Sequence, residues 1–170
     1  MELKIKFTKK EYAKLYKKLY ATDGSSGIDL RSVEGSIEDR ALLYPGNIKE
    51  FRTGICIEPQ KTEFGWSTYD FTGKLLIEGQ IRGKSGLAFK HNIFVAHIGT
   101  IDNDYRGEIR VLLENRNVDN EDPGNVYAIA YGDAIAQLIL CPVIRPTKIS
   151  IVEELGITKR GKGGFGSTGK

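Results

Sequence analysis

Apolar and polar positions at the start of the chain follow two different periods. The first stretch has apolar residues at every second position, the pattern of a half-buried strand: Leu3, Ile5 and Phe7. The next has apolar residues at helical intervals: Tyr12, Leu15, Tyr16 and Leu19. Thr8 and Glu11 have the spacing of a capping box, so the pattern predicts a strand followed by a short amphipathic helix that ends near Tyr20.

The rest of the chain has the pattern of an all-β protein. Short apolar or β-branched runs, each typical of a strand, occupy residues 52–57, 74–81, 87–98, 108–113, 126–130 and 135–144. Turn signals such as Pro45-Gly46 and Asp122-Pro123-Gly124 separate them. Regular short strands without helical crossovers predict a jelly-roll β-barrel or sandwich.

The composition changes near the end of the chain and once in the middle. With 170 residues and 40% hydrophobic content, one domain over residues 1–155 is expected. Residues 156–170 are predicted to form a glycine-rich arm without a core of its own. Residues 60–80 carry Phe64, Trp66, Tyr69 and Phe71 and are predicted to be an inserted or lengthened hairpin. This hairpin is either surface decoration or, less favoured, a contact for a protein partner.

Charge and cysteine content narrow the functional classes. A net charge of +3, from 25 Lys and Arg against 22 Asp and Glu, does not predict direct nucleic-acid or membrane-surface binding. Cys56 and Cys141 lie in apolar runs and are expected to be buried thiols in a reducing compartment. The longest uncharged stretches, 91–101 and 134–144, are shorter than the ~20 residues of a membrane span. Residues 1–10 lack an apolar signal-peptide core, so a cytoplasmic protein is expected.

Three segments could carry chemistry when considered alone. The glycines of 160–169 would let backbone amides converge on an anion while Phe165 stacks on a base, although a disordered terminus is the alternative. Gly83-Lys84-Ser85 fails as a P-loop because only three residues separate Gly79 from Gly83 and strand-like sequence follows. The acidic loop 99–107 by itself is typical of a tight hairpin. His91 and His97 are interpreted as strand residues and not metal ligands.

Taken together, five segments form an ordered set: 26–30 (SGIDL), 84–88 (KSGLA), 99–107 (GTIDNDYRG), 132–138 (GDAIAQL) and 160–169 (RGKGGFGSTG). This set resembles the five motifs of the trimeric dUTP pyrophosphatases, or dUTPases. The resemblance covers nearly the whole chain, and its third and fifth motifs are the most specific. It implies an enzyme that hydrolyses dUTP to dUMP and pyrophosphate by attack of water on the α-phosphorus, which keeps uracil out of DNA and supplies dUMP.

The resemblance also implies roles for individual residues. Asp102 matches the general base that activates the water, and Asp29 matches the aspartate that holds water bound to Mg²⁺. A turn-capping role is the alternative for Asp29. Tyr105 matches the residue that packs on the deoxyribose and excludes ribonucleotides. The implied phosphate contacts are Lys84, Ser85, Gly86 and Gln137, and the main chain of Gly99, Thr100 and Ile101 is implied to bind uracil.

The arm is implied to close over the substrate. Phe165 would stack on uracil, and the γ-phosphate would be met by Arg160, Gly166, Ser167 and Thr168. Members of the family are jelly-roll homotrimers with sites at subunit interfaces, so a homotrimer with shared sites is implied here.

Two departures and two alternatives accompany this interpretation. Lys84 stands where the family usually has arginine, and Arg82 is a possible substitute. The related dCTP deaminases carry a catalytic glutamate three residues before an asparagine, a position that here is Leu112 before Asn115, which disfavours deamination. A dUTP-binding regulatory protein that signals through residues 60–80 is the second alternative.

Overall fold

The structure, a computed structural model, describes residues 2–36, 38–59, 73–118 and 121–163. Within these residues the strands are β1 (Leu3–Phe7), β2 (Ile28–Arg31), β3 (Ala41–Leu43), β4 (Ile48–Arg52), β5 (Ile55–Pro59), β6 (Gly73–Arg82), β7 (Ile93–Val95), β8 (Thr100–Ile101), β9 (Arg110–Asn115), β10 (Tyr127–Ile129) and β11 (Ala134–Pro146). One short α-helix, α1 (Ser85–His91), and two 3₁₀ helices, Lys10–Tyr16 and Pro123–Asn125, connect them.

Antiparallel pairs organise the strands into four sheets. The largest has the order β2-β11-β6-β8, and a second sheet has the order β4-β9-β7. Two further pairs join β1 to β5 and β3 to β10. The long strands β6 and β11 pair continuously, from Gln137 opposite Arg82 to Pro146 opposite Gly73. The all-β prediction is confirmed, and the fold is of the jelly-roll type.

The largest sheet separates an apolar face from a polar one. Ile77 and Ile81 of β6 and Leu138 of β11 are 6%, 3% and 1% exposed and belong to the core. Because strand residues alternate between the two faces, Gln80 and Gln137 lie on the opposite face. The core therefore fixes the register that brings the polar residues of these strands together.

The first helix is shorter and of a different type from the one predicted. It is a 3₁₀ helix that ends at Tyr16, and no side chain caps it. The amide of Thr8 donates to the carbonyl of Gly54 at 2.8 Å, so this residue belongs to the β1-β5 connection. The predicted capping box is therefore wrong. Tyr16, buried in the core, determines where the helix packs.

The prediction of one strand over residues 87–98 is also wrong. Residues Ser85–His91 form α1, so His91 is helical and not a strand residue. Asn92 ends the helix with a left-handed backbone, φ 56°, and β7 begins only afterwards. Phe89 points into solvent, 91% exposed. The apolar run therefore did not reflect burial on one face of a strand, and its periodicity was misleading.

The predicted strand over residues 52–57 is wrong, because a bend at Thr53 and Gly54, where Gly54 has a φ of 74°, separates β4 from β5. Other strand predictions are confirmed by the described residues. Strands β9, β10 and β11 fall within two residues of the predicted runs. Of the predicted hairpin 60–80, residues 60–72 lie outside the described residues, and the rest forms β6, at the centre of the largest sheet. Cys56 is buried as predicted, but Cys141 is only half-buried, and both are free thiols. None of the helices in the described part of the chain is long and apolar enough to cross a membrane.

Candidate active site

Two residues of the predicted site, Asp29 and Gln137, lie side by side with Arg82 across the polar face of the largest sheet. Gln137 of β11 is paired with Asp29 of β2 on one side and with Arg82 of β6 on the other. Directly opposed residues of antiparallel strands project to the same side, with Cβ atoms ~5 Å apart. The row Asp29, Gln137, Arg82 therefore unites the first and fourth motifs with the strand that leads into the second.

Asp29 holds a cluster of opposite charges at one end of this row. Its side chain is 10% exposed, and Lys84 Nζ lies 2.6 Å from one carboxylate oxygen. Arg31 lies 3.6 Å from the other oxygen and also donates to the carbonyl of Gly132. Asp29 lies within β2, where its amide donates to the carbonyl of Leu19, so it does not cap a turn. This ion pair between the first two motifs was not foreseen from the sequence.

The second motif continues into the first turn of α1. Ser85 and Gly86 are the first residues of the helix and are exposed. The first amides of a helix have no partner within the helix, so they point outward as donors. A Cβ at Gly86 would meet nothing within 4 Å, so the packing of the described chain does not require glycine there. A remaining reason for glycine at this position is the close approach of another molecule to its backbone.

The third motif lies at the other edge of the same sheet. Strand β8 pairs with β6 through Thr100 and Ile101, and the carbonyl of Gly99 accepts from the amide of Ile81 at 3.0 Å. Asp102 follows β8, is exposed, and accepts a hydrogen bond at its carbonyl from the amide of Tyr105 at 3.0 Å. A tight turn thus holds the carboxylate at the end of a strand. No described residue forms a hydrogen bond or ion pair with the carboxylate.

The turn is fixed by contacts that sequence reasoning missed. The side-chain amide of Asn103 donates to the carbonyl of Ile77 at 2.9 Å and ties the turn to β6. The ring of Tyr105 lies directly over Gly107, where a Cβ would collide with the ring and its hydroxyl. The hydroxyl donates to the carbonyl of Glu108 at 3.2 Å. The aromatic side chain is therefore held in one orientation with 44% of its surface exposed.

A cavity of about 430 Å³ opens beside Asp102. Its charged lining includes Asp104 of the third motif and two residues outside the five motifs, Glu78 and Arg145. Alternation along β6 already places Glu78 on the polar face of that strand. This position indicates a place in the site only once the strands that pair with β6 are known.

The chain does not bring Asp102 onto the row that contains Gln137. In the register of β6 and β8, Gly79 opposes Ile101, so Asp102 falls beside Glu78, four positions from Arg82 along β6. At about 3.3 Å per residue this separation is about 13 Å. The proposed base and the row at the second and fourth motifs therefore form two separate groups within one chain.

The last predicted motif is only partly within the described residues. Arg160 is exposed, and its Nε donates to the carbonyl of Gly163 at 3.0 Å. The other predicted arm residues lie outside the described residues: Phe165, Gly166, Ser167 and Thr168. Before them, after the end of β11, the chain exposes a series of apolar side chains that includes Ile149, Ile151, Leu155 and Ile157, between 82% and 102% exposed.

The described residues contain no cluster of three or more His, Cys, Asp or Glu side chains able to hold a metal ion. The carboxylate of Asp29 is already neutralised by Lys84 and Arg31. Such a carboxylate is a poor direct ligand for a divalent cation, since the neighbouring ammonium and guanidinium repel it. The donor set fits a magnesium ion only if most of its ligands are phosphate oxygens and water.

Comparison with known proteins identifies a family that the whole chain resembles. The family profile described as dUTPase matches residues 52–169. The chain is 44% identical to the deoxyuridine 5'-triphosphate nucleotidohydrolase of Nautilia profundicola over 152 residues, 89% of each chain. It is 40% identical to that of Gloeothece citriformis over 98% of this chain and 97% of the relative. A mutant of the Staphylococcus bacteriophage 80alpha dUTPase, solved with dUpNHpp, has a similar fold, with a TM-score of 0.72, 20% identity and 99% of both chains covered. With an ordered set of motifs, a jelly-roll fold and close relatives over most of its length, the chain belongs to the dUTPase family.

Proposed function

We propose that the protein is a dUTP diphosphatase that hydrolyses dUTP to dUMP and pyrophosphate. The observation that carries this proposal is the polar face of the largest sheet, where Gln137 lies between Asp29 and Arg82 and beside the start of α1. Among the described residues the side chain of Gln137 has no hydrogen-bond partner, although it is half-buried. A polar group left in this way is suited to bind a ligand. Membership of the dUTPase family identifies that ligand as dUTP.

Asp102 acts as the general base in this proposal. Its exposed carboxylate follows β8 and is free to orient water for attack on the α-phosphorus and to take its proton. The tight turn and the bond from Asn103 to Ile77 hold it in place before substrate binds. Fixed placement of a catalytic group lowers the entropic cost of reaching the transition state.

The phosphates and the uracil are bound by different parts of the site. Gln137, Ser85 and Gly86 donate to the phosphates and stabilise negative charge as pyrophosphate leaves. Lys84 contributes positive charge here, although part of it is neutralised by Asp29. The main chain around Gly99, Thr100 and Ile101 binds uracil.

The fixed ring of Tyr105 supports the deoxyribose and rejects a 2'-hydroxyl by steric overlap. The arm residues Arg160, Phe165, Gly166, Ser167 and Thr168 close over the nucleotide.

Magnesium is proposed as the cofactor, bound mainly through the triphosphate and water. When bound, it neutralises charge on the phosphate oxygens. Asp29 is the protein carboxylate that would reach it through water, and its two basic neighbours make direct coordination unfavourable.

A homotrimer with shared sites is proposed for two reasons. Within one chain, Asp102 and the row at Gln137 are about 13 Å apart. In a trimer with shared sites, Asp102 of one copy lies next to the row of another copy, so the two groups form one site. The apolar side chains after β11, such as Ile151 and Ile157, also need a neighbour to cover them. Residues 156–170 would then reach a neighbouring copy.

The two alternatives receive less support. The position of the deaminase glutamate is held by Leu112, and Asn115 is fully buried between the carbonyls of Leu43 and Asn125. Its side chain is therefore used for structure. The regulatory alternative depends on residues 60–80, most of which lie outside the described residues. The two free cysteines fit the proposed cytoplasmic setting.

The test offers purified protein dUTP, dCTP, dTTP and UTP separately with Mg²⁺ and measures pyrophosphate release and deamination. Turnover of dUTP alone is expected. Asp102→Asn should lower kcat by roughly 100-fold or more while the affinity for dUpNHpp stays near that of the parent protein. Asp39→Asn, at an exposed aspartate outside the five motifs, is the matched control. Conversion of dCTP, or full activity of Asp102→Asn, would overturn the proposal.

A further inference from the structure

Arg82 has the charge and position of a substrate ligand, although it belongs to none of the five motifs. It is the last residue of β6, is exposed, and is paired directly with Gln137. Its side chain therefore projects to the same side of the sheet as that of Gln137 and lies within about 5 Å at the Cβ atoms. Arg82 thus extends the row of the predicted phosphate site by one strand.

The neighbouring basic residues already share one carboxylate as their partner. Lys84 and Arg31 both lie against the carboxylate of Asp29, at 2.6 and 3.6 Å. Arg82, by contrast, makes no ion pair among the described residues. Among the described basic residues beside Gln137, Arg82 is therefore the cation best able to neutralise an incoming triphosphate.

The guanidinium of Arg82 is also held in place. One of its nitrogens donates to the side-chain carbonyl of Gln80 at 2.6 Å. The amide nitrogen of Gln80 in turn donates to Glu78 at 2.6 Å, which fixes the orientation of the Gln80 side chain. Arg82 uses one of five N–H donors in this chain of bonds, so a planar fork remains for two oxygens of a phosphate group.

We propose that Arg82 is a phosphate-binding residue for dUTP, positioned by Gln80 and Glu78, and that it supplies the bidentate contact that Lys84 cannot make. A lysine is a point charge without the planar fork, and Lys84 is shared with Asp29. This inference rests on the proposed function, because it assigns a further ligand to the same triphosphate.

The test compares Arg82→Gln and Arg82→Lys with the parent protein by kinetics and by calorimetric binding of dUpNHpp. Loss of a charge-assisted contact should raise the KM for dUTP and the Kd for dUpNHpp by roughly 10- to 100-fold. The affinity for deoxyuridine, which has no phosphate, should not change. Arg82→Lys should restore part of the affinity, and the salt dependence of dUpNHpp binding should be weaker in Arg82→Gln.

Arg110→Gln is the matched control, because Arg110 is exposed and paired with Glu50 on the other sheet. The inference is overturned if Arg82→Gln binds dUpNHpp as tightly as Arg110→Gln does. An equal loss of deoxyuridine affinity would also overturn it, because that would indicate a structural role. A parent protein that binds dUpNHpp without hydrolysing dUTP would end the proposed reaction but leave the binding comparison for Arg82 valid.

Discussion

The hydroxyl of Tyr16 joins three parts of the fold, and its removal gives a sharp test of the structure. Tyr16 is 5% exposed. Its hydroxyl donates to the carbonyl of Thr53 at 2.7 Å and accepts from the amide of Arg31 at 3.1 Å. Tyr16→Phe keeps the ring but leaves two backbone groups without this partner. We expect the free energy of unfolding to fall by about 2 to 3 kcal/mol.

Burial of this hydroxyl also predicts that the free energy of unfolding depends on pH. Burial raises the pKa of the Tyr16 hydroxyl from its usual 10.0 to about 12. The unfolded chain therefore loses this proton at a lower pH than the folded chain. The contribution to stability is complete below about pH 10 and is lost as the pH rises from 10 to 12, by about 1.4 kcal/mol per pH unit at most.

Urea unfolding at a fixed protein concentration, at pH 8 and in steps from pH 9.5 to 11.5, measures both effects. The difference between the parent protein and Tyr16→Phe should shrink as the pH rises. Tyr20→Phe is the control, since Tyr20 lies on the same segment and is 42% exposed. Equal stability of parent and Tyr16→Phe at pH 8, or a difference that does not change with pH, would refute the reasoning.

Two further substitutions test local features of the fold by thermal unfolding. Asn92→Ala should lower the free energy of unfolding by about 1 kcal/mol because Asn92 has a φ of 56°. Asn92→Gly should leave it nearly unchanged, since glycine adopts this backbone conformation readily. Equal melting temperatures of Asn92→Ala and the parent protein would contradict this. Asn115→Ala should lower the free energy of unfolding by roughly 2 to 4 kcal/mol, since the buried side-chain amide of Asn115 donates to the carbonyls of Leu43 and Asn125. A loss under 0.5 kcal/mol would show that those carbonyls find other partners.

Much of the fold could be predicted because alternation in a strand has a direct physical cause. Residues of β6 such as Ile77 and Ile81 are apolar because every second side chain faces the core, and β11 follows the same rule. The run at residues 87–98 failed for a related reason. Over so few apolar residues, periodicity does not separate a short helix from a strand, and no residue of α1 is buried.

The sequence by itself identified the family and the candidate site residues, because the segments around Asp29, Asp102 and Gln137 resemble the dUTPase motifs when the five segments are taken as an ordered set. Only the tertiary structure decided how they are arranged. The register of β6 and β11 places Arg82 beside Gln137, and the ion pair between Lys84 and Asp29 joins residues 55 positions apart. The same register separates Asp102 from that row. Long-range pairing of this kind depends on how whole strands bury their apolar faces, which no local segment specifies.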